Sequence, residues 1–360
     1  MRASRQVTIA DVAAASGVGV GTVSRVLNGA ANVRDLTRLK VLSVIDQLGY
    51  RPSHLAAALS RGTARTVAIV VPHLTRPATV ERLAGALAML DAQGYDTVVC
   101  NVEAPAQRDH FLAALTTRNR VDGVIVVSLP MNAAQLAAFR RAEVPLATVD
   151  VSAPGVPATV TDDVAGGRLA TAHLIALGHR RIGFIGDKIL RKEASLGFTS
   201  SRRRLHGYLR ELQAAGVGAD HDLVRLGPHE PHAAAELATE LLALADPPTA
   251  IFAASDTQAM GVLSAADQAG CAVPGKLSVV GFDDIEAASL RGLSTVHQPL
   301  RLSGSEAARR LCALLHGQQV RPRRQLLPLR IVHRASSAPP AAGTLAAIDR
   351  NEPILAGKRP

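Results

Sequence analysis

Residues 7–29 read VTIADVAAASGVGVGTVSRVLNG. Thr8 stands three residues ahead of Asp11, the spacing at which a hydroxyl and a carboxylate cap each other across the first turn of a helix. This predicts a helix over Ile9–Ser16 that stops at Gly17. Gly19 then opens a second helix through about Leu27, ending at Asn28-Gly29. Two short helices joined by a tight turn form a helix-turn-helix, whose second helix enters the major groove with its N-terminal residues first. Here those residues are Val20, Gly21, Thr22, Ser24 and Arg25. Thr22 and Ser24 offer hydroxyls to bases or phosphates, and Arg25 carries the fork that fits a guanine O6/N7 pair. Val23 and Val26 face inward. By spacing alone, a small helical bundle that binds no DNA fits equally well.

Outward from this stretch, a third helix is expected over Asp35–Leu48, with Val41, Leu42, Ile45 and Leu48 on one face and Gly49 at its end. A fourth short pattern, Ser53–Ser60, follows Pro52. Residues 1–62 hold eight Arg and Lys against three Asp, so one sixth of the chain carries +5 of the net +10. Such a basic module suits nucleic acid. After Thr66 the texture changes. Apolar runs at Val67–Val71, Thr97–Cys100, Gly123–Val127, Pro145–Val149, Ile182–Ile185, Ala250–Ala254 and Leu277–Phe282 alternate with helical stretches near 79–93, 106–118, 132–142, 164–177, 203–215, 232–245 and 256–269. Near-continuous apolar strands separated by helices indicate parallel sheets in an α/β core. The Gly/Pro-rich stretch Ala153–Pro157 falls midway and favours two lobes.

The composition fits this reading. The chain has 360 residues, 48% apolar and 19% charged, which excludes a disordered chain and supports a sizeable core. Aromatics are 2% with no Trp, so Ala, Val, Leu and Ile must build that core. Cys100, Cys271 and Cys312 are too scattered for a disulfide framework or a zinc site, and a cytoplasmic location is expected. No apolar run reaches the roughly 18 residues that span a bilayer, and the N-terminus lacks the apolar region of a secretory signal, so no membrane partner is expected. The glycines of Gly17–Gly21 follow a helix, not a strand, which argues against a phosphate loop. His221, His229, Glu230 and His232 surround Pro228 and Pro231 without a metal-ligand spacing. No nucleophile motif, cofactor loop or metal motif is found, so neither an enzyme nor a cofactor is expected.

The quoted run, followed by TRLKVLSVIDQLGYRPSHLAAALSRG at 37–62, resembles the headpiece of the lactose-repressor (LacI/GalR) family of bacterial transcription regulators. HLIALGHRRIGFIGD (173–187), LSVVGFDD (277–284) and RIVHRASSAPP (330–340) match further family blocks. The resemblance implies a helix-turn-helix headpiece at 1–52, a hinge helix or linker at 53–62, a two-lobed periplasmic-binding-protein-like core at 63–340 and a flexible tail at 341–360. It gives the N-lobe as about 63–161 with 291–321, and the C-lobe as about 162–290 with 322–338. It places Val20 and Gly21 at the specificity-setting pair and Thr22, Ser24, Arg25 and Asn28 at shared DNA contacts. Thr8, Asn32, Arg34, Thr37 and Tyr50 fall at backbone contacts, with His54 counted among the DNA-binding residues. Leu59 falls at the residue wedged into a minor-groove step, which would bend the duplex. Gly21 departs from the pattern: it offers no side chain to a base edge, so readout there is expected to be weak.

For the core, the resemblance implies a small-molecule effector, sugar-like by class, in the interlobe cleft. His73, Asp163, Arg204, Ser255, Asp256, Asp283 and Gln298 are the candidate contacts, with Asp256 equally able to cap its helix. His73 and Arg76 also suit an anion, and few aromatics remain to stack on a sugar face. The expected protein is a homodimeric repressor binding double-stranded, pseudo-palindromic operator DNA. The tail has Pro353 and no heptads, so no tetramer is expected. A solute-binding protein of a transport system is the alternative.

Overall fold

The computed structural model describes residues 7–27, 30, 32–50, 64–117, 120–188 and 195–341. Asn28, His54, Leu59, the expected hinge segment Ser53–Ser60 and residues 342–360 lie outside these. The chain divides into two compact units, Met1–Arg65 and Thr66–Pro360.

The first unit contains α1 (Ile9–Ser16), α2 (Val20–Leu27) and α3 (Asp35–Leu48). The capping box forms: the Thr8 hydroxyl accepts from the Asp11 N–H, and the Asp11 carboxylate accepts from the Thr8 N–H at 2.8 Å. Gly17, at φ 66°, ends α1 in the left-handed conformation that glycine adopts without strain. Val12, Ala13, Val23, Val26, Val33 and Val41 form the core. The apolar face expected on α3 is only partly used. Val41 is fully buried, whereas Leu42 and Leu48 are 45% and 38% exposed. Two eight-residue helices are too short to cover a fourteen-residue one.

The second unit begins with β1 (Thr66–Pro72), α4 (Pro77–Ala92), β2 (Asp96–Val102), α5 (Pro105–Leu115), β3 (Gly123–Val127), α6 (Ala133–Ala142), β4 (Leu146–Val149) and β5 (Ala158–Val160). It continues with α7 (Asp163–Ala176), β6 (Ile182–Asp187), α8 (Ser200–Ala214), β7 (Val224–Gly227), α9 (Pro231–Leu242), β8 (Ala250–Ala253), α10 (Asp256–Gln268) and β9 (Ser278–Asp283). It closes with α11 (Glu286–Leu290), β10 (Ser294–His297), α12 (Leu300–Leu315), β11 (Arg324–Leu326) and β12 (Arg330–Val332).

The strands form two six-stranded sheets, ordered β11-β5-β4-β3-β1-β2 and β12-β10-β9-β8-β6-β7. Every pair is parallel except β10 with β12. Val67, Ile69 and Val71 of β1 pack under α4 and α12, and Ala68 and Val70 pack under α5 and α6. A strand covered on both faces must be apolar throughout, as the runs are. The scarce rings gather in the second lobe, where Phe184 packs on Tyr208 and Phe252 at 5.4 Å each. No helix among the described residues is long and apolar enough to cross a membrane.

The chain crosses between lobes three times, and two crossings differ from the expected positions. β10 pairs with β9, so residues 291–297 stay in the second lobe and the chain leaves it at Gln298, not near 291. β11 pairs with β5, so the return falls after Leu326, not near 322. These strands are short and carry polar or charged residues (STVH, RQL and RIV), so they lack the apolar run that marks even the four-residue β4 and β8.

Helices pair on glycine. A Cβ built at Gly304 of α12 would lie 1.8 Å from the Arg82 carbonyl oxygen, and one at Gly85 of α4 would lie 1.9 Å from that of Arg301. In the second lobe, a Cβ at Gly167 of α7 would meet the Arg204 carbonyl oxygen at 2.1 Å. These approaches set the positions of Arg82 and Arg204. Gly304→Ala and Gly167→Ala are each expected to destabilise the core by about 1–3 kcal/mol through overpacking. Gly21→Ala has the opposite sign. Gly21 has nothing within 4 Å of its Cβ direction, so the change is expected to stabilise the headpiece by up to about 0.8 kcal/mol. Urea denaturation of the three variants checks both signs.

Candidate functional site

The first candidate surface is the start of α2. Val20, Gly21 and Arg25 are exposed, Thr22 and Ser24 are half-buried, and Val23 and Val26 are turned into the core. One helix face therefore presents hydroxyls, one guanidinium and no acid. Arg34 is the exposed N-cap residue of α3, and Asn32 is exposed in the turn before it. Thr37 and Tyr50 are half-buried at the two ends of α3. Thr8 is exposed, with its hydroxyl and amide engaged in the capping box.

The second is a cleft at the carboxyl ends of β1, β3, β4, β6 and β9, where open α/β sheets hold ligands. Its cavity of about 110 Å³ is roughly ten times what a single water needs. Ser128, Asp150 and Asp283 end β3, β4 and β9 at φ 55°, 64° and 120°, and Asp284 follows at 62°. Left-handed backbone at non-glycine residues is strained, and such strain gathers where side chains must be aimed for function.

A continuous polar chain crosses the cleft. In the first lobe Arg82 pairs with Asp150 at 3.0 Å. Arg82 also donates to the Ala78 carbonyl at 3.2 Å and, at 3.3 Å, to Oε1 of Gln298 in the crossing, which accepts from the Thr161 hydroxyl at 3.4 Å as well. The Gln298 amide nitrogen donates to Asp283 Oδ1. In the second lobe Arg204 donates to Asp163 at 2.9 Å and to the Ala254 carbonyl at 2.6 Å. Arg204 also lies 3.8 Å from Asp283 and 3.6 Å from the centroid of the Phe282 ring. Burial works against the Arg204 charge, yet Asp163 and Asp283 hold its pKa above the usual value. Burial raises the Asp283 carboxyl, with Arg204 and Arg82 opposing. A further wall carries Asp187, which accepts from His229 at 2.9 Å and from Gln258 at 3.1 Å. Although burial pushes the Asp187 pKa up, His229 and the arginines bring it below the ordinary value.

Of the seven core residues singled out from sequence, Asp163, Arg204, Asp283 and Gln298 come together here. The other three do not line the cavity. His73 turns away to Glu103, at 2.5 Å. Ser255 is buried and caps α10, accepting the Gln258 N–H at 3.2 Å. Asp256 is fully buried; its oxygens accept from the Thr295 hydroxyl at 2.6 Å and the Ile285 N–H at 2.9 Å. Sequence reasoning missed Arg82, Asp150, Asp187 and Phe198, and set His229 aside. Asp150 and Asp187 close strand runs and were findable by the rule that picked Asp283. Arg82, inside a helix, gives no such signal. Among the described residues, no group of three His, Cys, Asp or Glu side chains is placed to hold a metal.

Comparison with known proteins divides the chain in a similar way. Residues 8–53 match the model of bacterial regulatory proteins of the lacI family, and residues 171–337 match a periplasmic-binding-protein-like domain. The HTH-type transcriptional repressor PurR of Photobacterium profundum is 33% identical, over 83% of this chain and 89% of that protein. The HTH-type transcriptional regulator DegA of Bacillus subtilis is 31% identical, over 92% and 98%. The Lac repressor dimer bound to operator and the anti-inducer ONPF superposes with a TM-score of 0.79 at 29% identity, covering 93% of this chain and all of that one. The complex of the transcriptional regulator CelR with cellobiose gives 0.66 at 31% identity, over 92% and 100%. Headpiece and cleft together define a helix-turn-helix transcriptional regulator with a periplasmic-binding-protein-like core. The chain belongs to the lacI family of bacterial regulatory proteins and, as a member, is a transcriptional regulator, not an enzyme.

Asp256 gives the cleft's surroundings a pH signature. Burial and the neighbouring Asp283 charge push its carboxyl up to about 8, against its hydrogen bonds. An unfolded Asp ionises near 3.9, so between about pH 4 and pH 8 the unfolded chain releases a proton that the folded chain keeps. Stability contributed by this group is therefore lost as pH rises through that window. Asp256→Asn cannot ionise and is expected to remove the loss. Urea denaturation at several pH values should show the wild type losing stability relative to Asp256→Asn as pH rises; parallel curves would contradict it.

Proposed function

We propose that the chain represses transcription as a homodimer on a pseudo-palindromic operator, under control of a small polar molecule held in the interlobe cleft. The observation that carries this is the polar chain Asp150–Arg82–Gln298–Asp283–Arg204–Asp163, which joins groups of both lobes in one cavity. Fixed carboxylate, guanidinium and amide groups suit a ligand with several hydroxyls, each needing a partner once buried. The CelR–cellobiose complex and a ribose-bound relative from Enterococcus faecium support the sugar-like class.

In this reading residues 1–52 form the headpiece, 53–62 the hinge, and 63–340 the effector and dimerisation core. Val20, Thr22, Ser24 and Arg25 read bases, with Asn28 beside them, while Thr8, Asn32, Arg34, Thr37, Tyr50 and His54 position the DNA backbone. Leu59 wedges into the central step. The operator-bound Lac repressor dimer supports the two-fold arrangement. Exposed Val80 and Leu87, seven residues apart on α4, offer one apolar stripe to a second copy. A ligand that favours one lobe arrangement shifts operator affinity by its differential binding to the two states.

Selection of the full chain against a randomised duplex library tests this. A pseudo-palindrome is expected, lost on deletion of residues 1–62, with weak preference at the base pair facing Gly21. Arg25→Ala should cost about 1–3 kcal/mol at one position of each half-site. Unselective binding by the full chain would overturn the reading.

A further inference from the structure

The four acids lining the cleft each have a direct partner. Asp150 is paired by Arg82, Asp163 by Arg204, and Asp187 by His229, while Asp283 accepts from Gln298 beside Arg204. Arg76 also lines the cavity, and among the described residues it has no such direct partner. Among the described residues its guanidinium makes no hydrogen bond and no direct ion pair; the Phe198 ring lies 5.9 Å away at its centroid, and Asp187, Glu103 and Glu230 act on it only from longer range. Arg76 is half-buried, and this partial burial lowers its pKa below the ordinary value. It stands at the N-cap of α4, where the helix dipole also favours negative charge, and its side chain caps nothing.

Phe198 fixes the place. It comes from the second lobe, in the stretch before α8, but sits at the first lobe's edge. Leu196 is buried in the first lobe's core cluster, and a Cβ built at Gly197 would lie 2.6 Å from Pro130. The Phe198 ring also packs against His73, with centroids 5.9 Å apart. The aromatic surface that the strand ends lack is thus supplied by this stretch, and it abuts Arg76.

We propose that the effector is an anion, and that its carboxylate or phosphate group binds Arg76 beside Phe198 while its hydroxyls meet the Arg82–Gln298–Asp283–Arg204 chain. This rests on the reading that the cleft holds the effector. A half-buried guanidinium with acids only at longer range keeps its donors open to a directly bonded anion, and charge-assisted contacts to carboxylate or phosphate are among the stronger hydrogen bonds.

Matched probe sets test it on the full chain by thermal shift and calorimetry: glucose, glucuronate and glucose 6-phosphate; galactose and galacturonate; ribose and ribose 5-phosphate. In at least one set the anionic member is expected to raise the melting temperature and its neutral parent not to. Whether acid or phosphate binds identifies the group. Arg76→Gln is expected to weaken that binding tenfold to a hundredfold, and Arg76→Lys to weaken it less. The unliganded melting temperature of each variant reports folding. A neutral sugar bound equally well by wild type and Arg76→Gln, but lost in Asp283→Asn, would overturn the proposal and leave the cleft as effector site. Binding of an anion that Arg76→Gln does not weaken would also overturn it. If no probe binds, the anion proposal and the sugar-like effector class fall together.

Discussion

Two arginines that leave water must be paired, and the cleft is organised around that requirement. Arg82 and Arg204 are each 7% exposed. A buried guanidinium without partners is very unfavourable, so the residues around it are constrained in kind and place. Asp150 and Gln298 answer Arg82; Asp163, the Ala254 carbonyl and Asp283 answer Arg204. Gln298 lies where the chain passes between lobes, so the two arginine sites share one connection. The glycines beneath them complete the arrangement, because α4 meets α12 and α7 meets α8 at backbone contact through Gly304 and Gly167. A side chain at either position would move the helix, and its arginine, outward.

That organisation bears on the proposed control by a ligand. A ligand satisfied by groups of both lobes binds one arrangement of the lobes better than another, and only that difference can be passed on. The strained backbone at Ser128, Asp150, Asp283 and Asp284 holds the polar groups at the strand ends in place before any ligand arrives. The headpiece follows a separate logic. Its six-residue aliphatic core is just enough to hold α2 with Arg25 and two hydroxyl residues facing outward.

Much of this was legible in the sequence, and the exceptions have physical causes. Long strands buried on both faces announce themselves, so β1, β3 and β9 were readable almost to the residue. β5, with three residues, and β10, β11 and β12, short and interrupted by Ser, His, Gln or Arg unlike β4 and β8, were not, which misplaced two crossings. Strand-end reasoning found Asp283 but also selected Asp256. Both are acids beside strand ends, and only packing decides that Asp256 turns back toward Thr295 and Ile285. Arg82 was invisible because an arginine within a helix is ordinarily solvated; its role follows from Asp150 and Gln298, far away in sequence. Phe198 was invisible for a related reason, since the second lobe's chain supplies a wall to the first.

The central claim is that one polar chain, running through Gln298, ties groups of the two lobes together. A double-mutant cycle on unfolding free energy addresses it most directly, pairing Arg82→Met with Asp283→Asn. The two side chains share Gln298 as their hydrogen-bonding partner. The predicted result is non-additivity of about 0.5–3 kcal/mol, the range for residues in one network. Additivity within about 0.3–0.5 kcal/mol would mean that the two lobes hold independent sites, and would contradict the account.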